Sequence, residues 1–214
     1  AIGSYLQKHA ENSWKITTKI SDFNESITIQ LLDSMKKLSV RPTSLLVHSA
    51  DLFLNEKFQS ELIEARDNQL IKKTGVSLYS EIEIHQVLES TFKIDIMQLP
   101  MNILDTQLYR NGMLTRVYEK GIEIHVRSAF LQGLFYLPDS DLNNRFYDAV
   151  PYLEKLKSIA AKAGLSLAEL SLLWLVSLEE VNKVIIGVDN ASQLKDHLET
   201  LKKKVNPAVF EEAL

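Results

Sequence analysis

The chain has 214 residues, 45% of them hydrophobic and 24% charged, with a formal net charge of −4. That is the balance of an ordinary globular protein with ample material for a core, and it lacks the basic stripe expected of a nucleic-acid reader. Cysteine is absent, so disulfides and thiolate metal sites are excluded, in keeping with a cytoplasmic setting.

Taken in order, short β-branched or apolar runs alternate with longer segments of helical period. The opening Ala1-Ile2-Gly3 reads as the interior of a helix. Strands are predicted at Lys15–Thr18, Ser44–Val47, Lys73–Val76, Ile94–Gln98, Glu123–Val126 and Lys183–Ile186. Between them, Ile27, Leu31, Met35 and Leu38 fall on one helix face. Ser80-x-x-Glu83 and Ser166-x-x-Glu169 have the form of capping boxes, and Gly121 and Gly164 stand where helices end. The apolar stretch Leu165–Leu178 is too short and too often interrupted by polar residues to span a bilayer, so it predicts a buried helix and no membrane partner. Alternating strands and helices predict an α/β protein with a parallel sheet, and the absence of a linker predicts one domain over residues 1–214.

Spacing sharpens the fold. Polar residues follow the predicted strands at Lys19, His48, Ser77, Gln98 and Arg127, at intervals of 29, 29, 21 and 29 residues. A strand–helix–strand unit takes about 30 residues, so these side chains recur at the carboxyl ends of successive strands. In a barrel that is the catalytic rim. No Gly-x-Gly-x-x-Gly follows any strand, which favours a (β/α)8 barrel over the usual dinucleotide-binding sheet. Six strands are visible where a barrel needs eight. The first two units are therefore expected upstream of Ala1.

Lys19 reads either as a solvated strand end or as a cationic catalytic group or Schiff-base amine. His48 reads either as a structural residue or as a catalytic one sharing the phase of Lys19. Ser77 and Ser128 could cap the following helices or contact a ligand, and Gln98 offers both a donor and an acceptor. Gly187 precedes a helix expected near Asn190, a natural place for an anion. The run Lys202-Lys203-Lys204 reads as a solvated helix end. No cluster has metal-ligand spacing, so no metal is expected.

Taken together, Ile16-Thr17-Thr18-Lys19, Leu45-Leu46-Val47-His48, Gly75-Val76-Ser77, Gln98, Arg127-Ser128-Ala129-Phe130-Leu131-Gln132-Gly133 and Ile185-Ile186-Gly187 resemble, in order and spacing, the aldo-keto reductases. The resemblance implies a (β/α)8 barrel of aldo-keto reductase type with its first two strand–helix units absent from this chain. It also implies NAD(P)H-dependent reduction of an aldehyde or ketone to an alcohol. Lys19 and His48 match two members of the family's Asp, Tyr, Lys and His tetrad, and the Asp and Tyr have no counterpart here. Ser77 and Gln98 would hold the nicotinamide carboxamide. Arg127 stands where an aromatic ring often stacks on the nicotinamide. Ser128, Phe130, Leu131, Gly133, Gly187, Gln193 and His197 would line the pyrophosphate and adenosine ends. Gly187, Asp189 and Gln193 occupy positions that often carry a cation for a 2′-phosphate, and an aspartate repels phosphate, so the cofactor reading leans towards NADH. Two alternatives stay open: a Schiff-base lyase using Lys19, and a non-catalytic cofactor-binding or interaction protein on the same barrel. Substrate identity and oligomeric state are not legible.

Overall fold

The structure, a computed structural model, describes residues 2–9, 14–138, 140–141 and 146–214. Six parallel strands alternate with helices. Residue contacts divide the chain into two compact units, Ala1–Gln98 with Glu119–Glu123, and Leu99–Tyr118 with Ile124–Leu214.

In the first unit, α1 (Ile2–Lys8) precedes β1 (Thr17–Ile20), α2 (Ile27–Leu38) and β2 (Ser44–Val47). Then follow α3 (Ala50–Leu54), α4 (Glu56–Asp67), β3 (Lys73–Ser77), α5 (Glu81–Glu89) and the start of β4 (Ile96–Pro100). The strands pair in parallel and in sequence, with Lys19 level with Leu46, Leu46 with Gly75, and Gly75 with Ile96. β2 is buried along its whole length, as a run of apolar residues in a strand covered on both faces should be. Helices start where a side chain can satisfy the free N–H groups of the first turn. Ser26, Ser49 and Asn55 each accept from a backbone N–H three residues on, and Ser80 forms the full box with Glu83. Phe53, Phe58, Leu31 and Leu62 are fully buried under these helices, each contributing about 1.5–3 kcal/mol.

The second unit contains α6 (Gln107–Arg110), α7 (Met113–Glu119), β5 (Glu123–Arg127), α8 (Val150–Lys162), α9 (Leu167–Ser177), β6 (Val181–Val184), α10 (Ala191–Thr200) and α11 (Ala208–Ala213). The helix α9 is the predicted buried one. Leu167 through Leu175, apart from Glu169, are buried on every side, which leaves it no amphipathic stripe. Among the described residues no single helix is long and apolar enough to cross a membrane. The successive helices α8 and α9, which would pass that test together, are bent apart by 80°. The helix-ending glycines are as expected, Gly121 at φ 73° and Gly164 at φ 70°.

Three predicted strands are misplaced by two residues. β1 runs over Thr17–Ile20 instead of Lys15–Thr18, because pairing with β2 continues until Ile20 O accepts from His48 N at 2.9 Å. β6 runs over Val181–Val184 instead of Lys183–Ile186, where a register shift beside Ile124 and His125 lets Val181 pair early. β4 likewise begins at Ile96 and runs on to Pro100. Lys19 and Gln98 therefore lie within strands, while Ser77 and Arg127 end theirs and His48 follows β2 directly. Ala1, part of the expected first helix, is outside the described residues.

Candidate active site

The first unit brings three of the predicted side chains together. Partners in a parallel ladder face the same side, and so do residues two apart along a strand. Lys19 shares its rung with Leu46, Gly75 and Ile96, and two residues further along that face Ser77 pairs with Gln98. The lysine stem is long enough to reach from one rung to the next. Its Nζ donates to Gln98 Oε1 at 2.6 Å and to Ser77 Oγ at 3.3 Å. Ser77 and Gln98 are buried, whereas Lys19 reaches them from an exposed position. Buried polar groups need partners, and the ammonium supplies one to each.

Gly75 lies on the lysine's own rung. A Cβ there would stand 2.2 Å from Ile96 O and 2.7 Å from Leu46 Cδ2. The three strands close around that missing side chain.

His48 sits between β2 and Ser49, which caps α3. Its ring is exposed, and its neighbour is Tyr79, with centroids 6.3 Å apart and planes tilted by 35°. Ser77 caps no helix; that task falls to Ser80.

In the second unit the loops after β5 and β6 surround a cavity of about 1020 Å³. Of the expected cofactor residues, Ser128, Phe130, Gly133, Gly187, Gln193 and His197 line it. Leu131 does not, and Arg127 ends β5 with Nη1 3.4 Å from Ser128 Oγ. Phe130 and His197 stack at 4.9 Å with 15° between their planes, and Tyr136 meets Phe130 edge-on at 5.4 Å. Burial first, and the charge of Glu169 second, push the Tyr136 phenol above its ordinary value. The loop itself is unusual: Ser128, Leu131, Gln132 and Gly133 have φ of 64°, 45°, 53° and 91°. For non-glycine residues that conformation costs on the order of 1–3 kcal/mol each.

The helix expected near Asn190 is α10, with Asn190 capping it by accepting from Gln193 N at 2.9 Å. Gln193 turns its own oxygen back to Asp189 N at 2.7 Å, which uses its acceptor locally.

One part of the cavity was missed from sequence. Glu169 uses one oxygen for the capping box, accepting from Ser166 N at 2.9 Å. The other accepts from Lys203 Nζ at 2.6 Å and from Thr200 Oγ1 at 3.3 Å. Burial alone would raise its carboxyl, but the hydrogen bonds from Lys203, Ser166 and Thr200 and the Lys203 charge outweigh that and hold it below its ordinary value. Lys203, read as part of a solvated helix end, thus lines the cavity with its charge matched. The only sequence signal was the capping box, which accounts for one carboxylate oxygen and leaves the other unassigned. Among the described residues no cluster could hold a metal ion.

Comparison with known proteins gives this arrangement a context. Over 169 residues the chain is 25% identical to L-glyceraldehyde 3-phosphate reductases from two Escherichia coli strains, covering 68% of the chain and 49% of each relative. The chain thus spans about half the length of the curated relatives it matches. Among solved structures it resembles aldo-keto reductase AKR11C1 from Bacillus halodurans in its holo form, with a TM-score of 0.82 at 17% identity. It also resembles the thermostable aldo-keto reductase Tm1743 in complex with the inhibitor epalrestat, at 0.76 and 18%. A third likeness is to the glycerol dehydrogenase AKR11B4 from Gluconobacter oxydans, at 0.75 and 17%. Each covers 99% of this chain, and the chain covers 74% to 75% of each. The fold is therefore α/β of aldo-keto reductase type, and its six parallel strands are consistent with a (β/α)8 barrel. The Aldo/keto reductase family pattern matches residues 1–213, nearly the whole chain, and the chain belongs to that family.

Proposed function

We propose that this chain carries the cofactor site and part of the catalytic machinery of an NAD(P)H-dependent reductase converting an aldehyde or ketone to an alcohol. The observation that supports this most is Lys19, whose ammonium is held by Ser77 and Gln98 on one strand face, with His48 directly after β2, the strand between those of Lys19 and Ser77. A cation placed there stabilises negative charge developing on a carbonyl oxygen, and a histidine beside it can donate a hydrogen bond to the same oxygen. It would also lower the pKa of a phenol acting as proton donor, which at about 10 is a poor acid near neutrality. The tetrad's Tyr and Asp have no counterpart among the residues of this chain.

The residues present fit the proposed cofactor. Ser77 and Gln98 offer polar atoms for the carboxamide, the loop Ser128–Gly133 suits a pyrophosphate, and the Phe130–His197 stack suits a flat aromatic base. When bound, a reduced nicotinamide supplies the hydride. Asp189 on the cavity wall, the folded-back Gln193 and the neutralised Lys203 leave little to receive a 2′-phosphate. The preference proposed is NADH over NADPH. The cytoplasmic setting and a single partial barrel domain over residues 1–214 belong to the same reading.

The test is fluorescence titration with NADH and NADPH, followed by an assay of aldehyde reduction in which L-glyceraldehyde 3-phosphate is tried first because two relatives act on it by name. Binding with turnover supports a reductase. Binding without turnover moves the non-catalytic cofactor-binding reading forward, and absence of binding rejects both.

A further inference from the structure

The loop after β5 keeps three non-glycine residues in the left-handed region within five positions: Ser128, Leu131 and Gln132. Such conformations persist only where their surroundings over-determine them. Here the restraint is visible. Three successive carbonyls are each held by a donor from elsewhere: Arg127 O by Met101 N at 3.1 Å, Ser128 O by Asn102 Nδ2 at 3.3 Å, and Ala129 O by Ser171 Oγ at 2.8 Å. Ser171 also accepts from Ile103 N at 3.2 Å, so one hydroxyl ties the segment after β4 to the loop after β5.

Nothing in α9 itself calls for that hydroxyl. Ser171 is fully buried in an apolar helix between Leu170 and Leu172. Serine is a weaker helix former than alanine, and a buried hydroxyl is costly unless both its donor and its acceptor capacities are used. Its two bonds are the reason it is tolerated there. The Ser171 bond to Ala129 O, beside the separate Asn102 bond to Ser128 O, turns carbonyl lone pairs onto protein donors, so that they do not face an anion in the cavity that Ser128, Ala129 and Phe130 line.

We propose that Ser171 is a positioning residue for cofactor binding: from the interior of α9 it clamps the Ser128–Gly133 loop in the conformation that receives the pyrophosphate. The clamp acts through the Ala129 carbonyl and touches no ligand. This inference rests on the reading that the cavity takes NAD(P)H.

Two readouts on the full chain separate the possibilities. Hydrogen exchange compares wild type with Ser171→Ala over Ser128–Leu137, with α11 as internal reference, and titration with NADH gives the affinity. Loss of one buried hydrogen bond should speed exchange in the loop about 5- to 10-fold, leave α11 unchanged, and weaken NADH binding by a similar factor. A uniform rise across the unit, as a merely structural role would give, overturns the inference, and so does an unchanged loop. Wild-type binding with unaltered affinity in Ser171→Ala also overturns it while the cofactor reading stands. If wild type binds no NADH, the cofactor reading falls and takes the proposed ligand with it, while loop exchange still decides whether the clamp exists. Should Ser171→Ala fail to fold, the near-isosteric Ser171→Cys, a weak donor and acceptor, gives the same comparison with a smaller expected change.

Discussion

Lys19 Nζ donates to Gln98 Oε1 at 2.6 Å across 79 positions of sequence. The contact exists because three ladders, each in parallel register, bring four strands to a common face, and because Gly75 leaves its rung without a side chain. An ammonium held by two buried oxygens is fixed in place before any substrate arrives, which is the condition for electrostatic stabilisation of a developing charge.

Lys19→Met keeps the apolar stem and removes the charge. Under the proposed function, kcat for aldehyde reduction should fall about 10²- to 10⁴-fold, with NADH affinity changed far less. Steady-state kinetics beside a binding titration separates the two effects. A kcat within threefold of wild type, on the order of 0.65 kcal/mol, would remove Lys19 from the mechanism.

Arg127 is half-buried at the end of β5, and under the proposed function its planar cation would meet the nicotinamide ring. A guanidinium can stack on a neutral ring but repels the oxidised, cationic one. NADH should therefore bind more tightly than NAD⁺, and Arg127→Phe should narrow that ratio by about 5- to 10-fold, since an aromatic face attracts a cation. Fluorescence and competition titrations give both constants. An unchanged ratio means that the guanidinium does not meet the ring.

Gly75→Ala places a methyl group against a backbone oxygen 2.2 Å away, and Leu46 and Ile96 leave it no open direction. Backbone cannot yield as a flexible side chain can. The substitution should destabilise the first unit by about 3 kcal/mol or more, read as a shift in denaturant midpoint. A cost below about 1 kcal/mol would mean the strands separate more easily than their register suggests.

Glu169 titrates below its ordinary value of 4.5 in the folded protein. A depressed carboxyl contributes stability that is complete above the unfolded value and is lost as pH falls through the folded one. Thermal stability of wild type should therefore decline on acidification below about pH 5, and Glu169→Gln should flatten that part of the curve while lowering stability near neutrality. Melting curves at several pH values decide. Parallel curves for the two proteins would show that the bonds to Lys203 and Thr200 contribute nothing measurable.

The local features of the chain were legible because they depend on neighbours three or four positions away. Ser80 with Glu83 and Ser166 with Glu169 close their capping boxes within one turn, and Gly121 and Gly164 take the positive φ that ends a helix. The recurrence of Lys19, His48, Ser77, Gln98 and Arg127 near strand ends marked successive strand–helix units, because each such unit has a similar length. Those signals, with the family resemblance, were enough for fold and family.

The bounds of β2 were legible, but those of β1, β4 and β6 were off by two residues, since a strand stops where its neighbour stops offering hydrogen bonds. For β1 that neighbour lies a helix away, at His48. The partners of the candidate site were hidden for the same reason. Lys19 meets Ser77 over 58 positions, Ser171 meets Ala129 over 42, and Lys203 meets Glu169 over 34. A serine in an apolar helix and a lysine in a basic run look ordinary in one dimension. Sequence determined which chemical groups the chain carries and at what period they recur. Tertiary structure decided which of them touch, because long-range contacts depend on register and packing that no local pattern encodes.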